Sequence, residues 1–159
     1  MKLGFRIFVF CITVLMISAC KKDSNNLITK LSASINGETW NSAIRITVKN
    51  DAGFIITATR VNTSLVTSEL AIRINGFSTG TYNVIATSNN CLATFTPNVS
   101  EATKSYVSAT GTVVLTEVNT GDKTISGTFE FVCANLSLET ITITNGSFEG
   151  LSYTETSGN

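Results

Sequence analysis

From Leu27 onwards one pattern recurs in this chain. Apolar and polar residues alternate over short runs, and a cluster of Asn, Gly, Asp or Ser then breaks each run. A strand sends successive side chains to opposite faces, so period-two runs bounded by turn residues predict short strands with one dry side. "IRITVK" sets Ile44, Ile46 and Val48 on one face and Arg45, Thr47 and Lys49 on the other. The first set is the expected core face by its hydrophobicity. "FIITATRV" aligns Phe54, Ile56 and Ala58, and "ELAIRI" aligns Leu70, Ile72 and Ile74. "CLATFT" aligns Cys91, Ala93 and Phe95 before Pro97, the single proline. The longest uninterrupted pattern is the hairpin "SYVSATGTVVLTEV", "NTGD", "KTISGTFEFVCA". Ile125, Phe129, Phe131 and Cys133 share one of its faces; Ser126, Thr128 and Glu130 share the other. Asn36-Gly37, after "LITKLSASI", and Asn145-Gly146 are dipeptides that favour two-residue type I′ hairpin turns.

No window shows a helical period beyond the N-terminal segment. The expected fold is therefore all-β, an antiparallel up-and-down meander of about nine or ten strands. It closes as a β-sandwich or a flattened barrel, because an open sheet leaves an apolar face wet. Periodicity does not choose between those two.

The N-terminus follows different rules. Lys2 and Arg6 precede the apolar run Ile7 to Ile17, which ends in Ser18, Ala19 and Cys20. A charged start, a short apolar stretch and small residues make residues 1–19 an expected signal peptide. The run is shorter than the roughly 18 residues a spanning helix needs. "ISAC" resembles the bacterial lipobox, in which the peptidase cuts before the cysteine and the cysteine is acylated. Cys20 is the expected lipidation site, with residues 20–29 an acylated cysteine and flexible tether. Several acyl chains anchor far more firmly than one. Lys22-Asp23 also resembles part of the surface-export signal of Bacteroidota lipoproteins, although Ser24 stands where a second acid is usual. The expected location is the outer membrane, lipid-anchored, with exposure at the cell surface as a further expectation. Residues 30–155 form the expected single β domain and 156–159 a C-terminal tail.

Cleavage at Cys20 leaves 140 residues, enough for one domain with a real core. It also removes two basic residues, leaving 9 Lys and Arg against 11 Asp and Glu. Such a surface has no electrostatic reason to seek nucleic acid. The chain contains no histidine, which removes both the commonest general base and the commonest metal ligand. Among the four cysteines, Cys11 leaves with the signal peptide and Cys20 carries lipid. Cys91 and Cys133 remain. They are either a disulfide, contributing about 4 kcal/mol on the chain-entropy model, or two buried thiols.

The lipobox, "SINGETWNS", "GTVVLTEVNTGDKTISGTFEFVC" and "ITITNGSFEGL" together resemble a family of small Bacteroidota lipoproteins catalogued as a domain of unknown function. The likeness spans most of the mature chain, and "TGDKTISGTFEF" is its most specific part. It implies a lipid-anchored β domain and supplies no catalytic or binding residues.

Candidate chemistry is sparse. No histidine is present to activate a serine, and Lys104 and Ser105 are neighbours that a strand points apart. Glu117, Asp122, Glu130, Glu139, Glu149 and Glu155 are carboxylates at turns or polar strand positions, where solvated charge is the plain reading. Asp51 and Asp122 lie in turns that explain them, and no metal-binding motif occurs. Trp40 reads either as a platform for stacking a sugar, with Tyr82, Tyr106 and Tyr153 as companions, or as a residue closing one end of the core. Phe54, Phe95, Phe129 and Phe131 read either as the lining of a ligand cavity or as an ordinary dry core. The expectation is thus an anchored lipoprotein with no catalytic residues, metal or cofactor. It is a non-catalytic binding or envelope-structural module with a glycan or protein partner. A lipocalin-like carrier of a small apolar ligand and a carboxylate-dependent hydrolase are the alternatives.

Overall fold

The computed structural model describes residues 31–84 and 90–156. The expectations for the signal peptide 1–19, for Cys20, for the tether 20–29 and for most of the tail 156–159 lie outside these residues.

The chain is all-β, with one strongly curled mixed sheet forming a half-barrel. The strands are β1 (Leu31–Ile35), β2 (Glu38–Asn41), β3 (Ile44–Lys49), β4 (Phe54–Val61), β5 (Thr67–Ile74), β6 (Gly80–Val84), β7 (Cys91–Thr96), β8 (Tyr106–Asn119), β9 (Thr124–Ala134), β10 (Thr140–Ser152) and β11 (Thr154–Glu155). Short 3-10 turns over Val99–Lys104 link β7 to β8. The spatial order is β11-β3-β4-β5-β7-β8-β9-β10-β1-β2, with β6 pairing beside β7 on the long strand β8.

The up-and-down pattern holds from β3 to β10, with β6 inserted. The expectation of a purely antiparallel sheet does not hold, because β11 pairs parallel to β3 through Thr154–Val48 and Glu155–Lys49. Parity explains this. β3, β4, β5, β7, β8, β9 and β10 alternate in direction, so the first and seventh run the same way. One residue past β10, the chain can reach β3 only in parallel. Tyr153 makes that crossing, its amide donating to the Lys123 carbonyl at 2.9 Å.

The β8–β9 hairpin is the middle of the sheet, and its buried side is Ile125, Phe129, Phe131 and Cys133, as the alternation predicts. Phe131, Phe129 and Phe148 form a run of near-parallel rings, 5.8 and 6.3 Å between neighbouring centroids. Three glycines make room for them. Gly111 faces Phe131, Gly146 faces Phe129 and Gly127 faces Phe148 across strand pairs. A β-carbon at any of the three would collide with the facing ring.

Two local expectations change. Asn145-Gly146 does not turn the chain; it lies inside β10 as a bulge, where the register shifts between Ile143 and Gly146. Only Asn145 adopts a left-handed φ, +51°, whereas Asn36-Gly37 has both residues left-handed and does make the expected turn. A second bulge at Gly150 (φ +57°) bends β10 again. Bulges sharpen strand twist, which suits a sheet curled this tightly.

The other change is the face of β3. Ile44 and Ile46 are 62% and 60% exposed, and Thr47 is buried. The inward side is the polar one. Arg45 donates to the Ser42 carbonyl at 3.1 Å, and Lys49 is held at the β11 crossing. β3 lies at the seam with β11, and polar partners there satisfy inward-facing polar groups.

Candidate functional site

Strand direction sorts the connections into two ends. The turn 50–53, the loop 75–79, the turn 119–123 and Tyr153 share one end. There Lys49, Asn50, Asp51, Phe54, Phe77, Val118, Thr120 and Tyr153 line a concavity of about 360 Å³ open to solvent.

Its aromatic floor is Tyr153, edge-to-face with Phe54 at 5.2 Å between centroids. Phe77 also meets Phe54 edge-to-face, at 6.1 Å, yet stays 43% exposed. The loop that carries Phe77 is tied down by Tyr82, whose hydroxyl donates to the Ser78 carbonyl at 2.7 Å. On the other flank, the Asn50 side-chain oxygen accepts from the amides of Ala52 and Gly53 and fixes the β3–β4 turn.

The Lys49 ammonium stands over the Phe77 ring at 5.6 Å and the Tyr153 ring at 5.9 Å. It donates to Glu155 Oε1 at 2.8 Å, and Lys123 reaches Oε2 of the same carboxylate at 3.1 Å. The hydrogen bond from Lys49, then that from Lys123, holds the Glu155 carboxyl below its ordinary value, and Glu155 in turn raises Lys49. Each of these charges already has a partner.

The residues singled out in the sequence scatter. Trp40 is buried, edge-to-face with Phe95 at 6.5 Å, and its indole N–H donates to Ser68 Oγ at 2.9 Å. A stacking platform needs an open ring face, so Trp40 is a core residue instead, at the end away from the concavity. Cys91 and Cys133 are free, buried thiols. Burial alone pushes Cys91 up to about 12 and Cys133 to about 11. Phe54, Phe95, Phe129 and Phe131 are all buried in the core. Glu117 and Glu149 share a concavity of about 440 Å³ with Ser32 and Ser126 on the outer face, where Ser126 donates to Glu117 at 3.3 Å. Tyr153 is the one residue of the suggested aromatic set that lies in the concavity. No motif marks Lys49 or Phe77 as site residues, although a phenylalanine inside the turn-like "NGFSTG" is a signal that something holds it there.

The family profile described as a domain of unknown function, DUF6252, matches residues 29–151. The chain belongs to the DUF6252 family. The match takes in every strand from β1 to β9 and most of β10, so the DUF6252 domain is this half-barrel, while Tyr153 and Glu155 stand just past the matched segment. No curated protein and no solved structure matches the chain.

Proposed function

We propose that this DUF6252 chain is an outer-membrane lipoprotein, anchored through acylated Cys20, whose β domain works by binding or by envelope architecture rather than by catalysis. In this reading residues 1–19 are removed, the polar residues after Cys20 are a tether, and the sheet is a flattened barrel. The parallel β11–β3 pairing supports that closure by joining the two ends of the up-and-down run.

The observation that carries the non-catalytic reading is the charge state of the concavity. Lys49 and Lys123 are balanced by Glu155 and Asp51, and the Lys49–Glu155–Lys123 set is already hydrogen-bonded within itself. Catalysis by a side chain needs a base or nucleophile poised for a substrate. A neutral partner with an apolar face, a glycan or a protein loop, suits Phe77 and the polar rim of Asn50, Asp51 and Thr120 better. The carrier reading has less support, since two of the phenylalanines that would line its cavity, Phe129 and Phe131, stack on each other, Phe129 also stacks on Phe148, and Phe95 packs on Trp40.

Fractionation of cells expressing the wild-type chain and Cys20→Ala tests the anchor. The wild type is expected in the membrane fraction, released only by detergent; Cys20→Ala is expected among the soluble proteins with the same β-rich circular dichroism. A Cys20→Ala chain that has lost residues 1–19 and still stays with the membrane overturns the reading.

A further inference from the structure

At the end of the half-barrel away from the concavity, the strand register turns two arginines toward the core. Alternation along β4 puts Arg60 on the same face as the buried Phe54, Ile56 and Ala58, and Arg45 of β3 pairs with Ala58 on that face. Both arginines are half-buried. Arg45 donates to the carbonyl and the hydroxyl of Ser42. Arg60 donates from Nη1 to the Thr39 carbonyl at 2.9 Å, which ties β4 to β2. A guanidinium carries five N–H donors in a rigid fork, and a partly dry cation ordinarily has an acid beside it. Among the described residues the ion pairs are those of Lys49, Lys104 and Lys123, so neither arginine has one. No contact among them takes the Nε–Nη2 edge of Arg60. That guanidinium opens into a concavity of about 340 Å³, with Ile35, Trp40, Val66, Phe95 and Pro97 around it. Trp40 and Phe95, buried and edge-to-face, form the floor. Ser68 in the lining is already engaged by the Trp40 indole. Glu38 is the one carboxylate in the lining, exposed on the rim and beyond ion-pair distance of Arg60.

We propose that this mouth is a binding site of its own, for a small monocarboxylate with an apolar body. The free edge of the Arg60 fork takes the carboxylate in a charge-assisted, bidentate contact, which a planar guanidinium makes better than any other side chain. Ile35, Val66 and Phe95 cover the apolar body. Arg45, on the same face, adds to the positive field there. Apolar walls around one convergent polar group, at the mouth of a barrel, are the usual layout of a small-molecule site. The seat is shallow and closed below by Trp40 and Phe95, so it needs none of the interior cavity that a carrier would. Its volume stands at the small end of the roughly 300–1,000 Å³ typical of such sites, which suits a single short chain rather than a diacyl lipid.

The test follows the Trp40 indole N–H in proton–nitrogen NMR spectra of the chain from Cys20 onwards, carrying Cys20→Ala, as decanoate is added. The chain has a single tryptophan, so the signal has one source. Decanoate is expected to shift it saturably. Decanol, the same body without the charge, is expected to bind at least about tenfold more weakly, the factor that a hydrogen bond to a charged group carries. Decylammonium is expected to bind no better than decanol. Arg60→Met, which keeps the packing of the arginine stem, is expected to bring decanoate down to the level of decanol. If Arg60→Met does not fold, the three probes on the chain with Arg60 still decide the matter. Equal affinity for decanoate and decanol overturns the proposal, as does a preference for decylammonium or a decanoate preference that Arg60→Met retains. The absence of a saturable shift with decanoate also overturns it. A shift produced only by an apolar peptide with a free C-terminus would overturn it in favour of a protein chain end.

Discussion

Gly146 of β10 stands directly across from Phe129 of β9, and the phenylalanine ring fills the space that a β-carbon at 146 would need. The pair is one of three such glycine–phenylalanine matches beneath the sheet. It predicts that either partner is intolerant. Phe129→Ala should cost about 3–5 kcal/mol through lost burial and a cavity. Gly146→Ala should cost about 1–3 kcal/mol by displacing the ring. Glu130→Gln, on the exposed side of the same strand, should stay within about 0.5 kcal/mol. Urea denaturation of the three variants checks this; equal midpoints would mean that Phe129 does not face the core.

The inverted face of β3 makes a second, sharper contrast. Ile46→Thr should change stability by less than about 0.5 kcal/mol, because the side chain is already in water. Ile56→Ala on the neighbouring strand should cost about 2–5 kcal/mol. A large loss for Ile46→Thr would restore the register that hydrophobicity alone suggests.

That contrast marks how much could be read from residue order. Alternation separates the two faces of every strand, and for β4, β5, β7 and β9 the apolar face is the buried one. It does not say which face turns inward when a strand lies at a seam with polar partners of its own, as β3 does at Ser42, Tyr153 and Glu155. The Asn-Gly signal is equally local. Asn36-Gly37 and Asn145-Gly146 look the same in sequence, and only the Phe129 ring across the sheet shows why the second glycine is there. The concavity draws on positions 49, 77, 120 and 153, which no spacing rule joins.

The thiols give a third prediction. With Cys20 acylated or replaced, native protein should show no reactive thiol at pH 8. Burial holds Cys91 near about 12 and Cys133 near about 11, and the thiolate is the reactive form. In guanidinium without reductant, both cysteines should react. If neither reacts until reductant is added, Cys91 and Cys133 are bonded in the cell-derived protein.

The β11–β3 junction should respond to pH. The Glu155 carboxyl is held below its ordinary value of 4.5 by hydrogen bonds from Lys49 and Lys123. A carboxylate with a lower pKa folded than unfolded stabilises the fold above its unfolded value, and that contribution is lost as pH falls through the folded one. Thermal melts from pH 7 to 3 should therefore show a wild-type advantage over Glu155→Gln that shrinks below about pH 4.5. Salt should shrink it too, since the group is exposed. A constant difference across that range would show that Glu155 contributes no charge interaction.

The proposal that the half-barrel hangs from the outer membrane by Cys20 is tested most directly by the intact mass of the protein extracted in detergent from its own cells. The expected species begins at Cys20 and exceeds the polypeptide mass by a diacylglyceryl group and a further acyl chain. A species of bare polypeptide mass, or one that still begins at Met1, would contradict it.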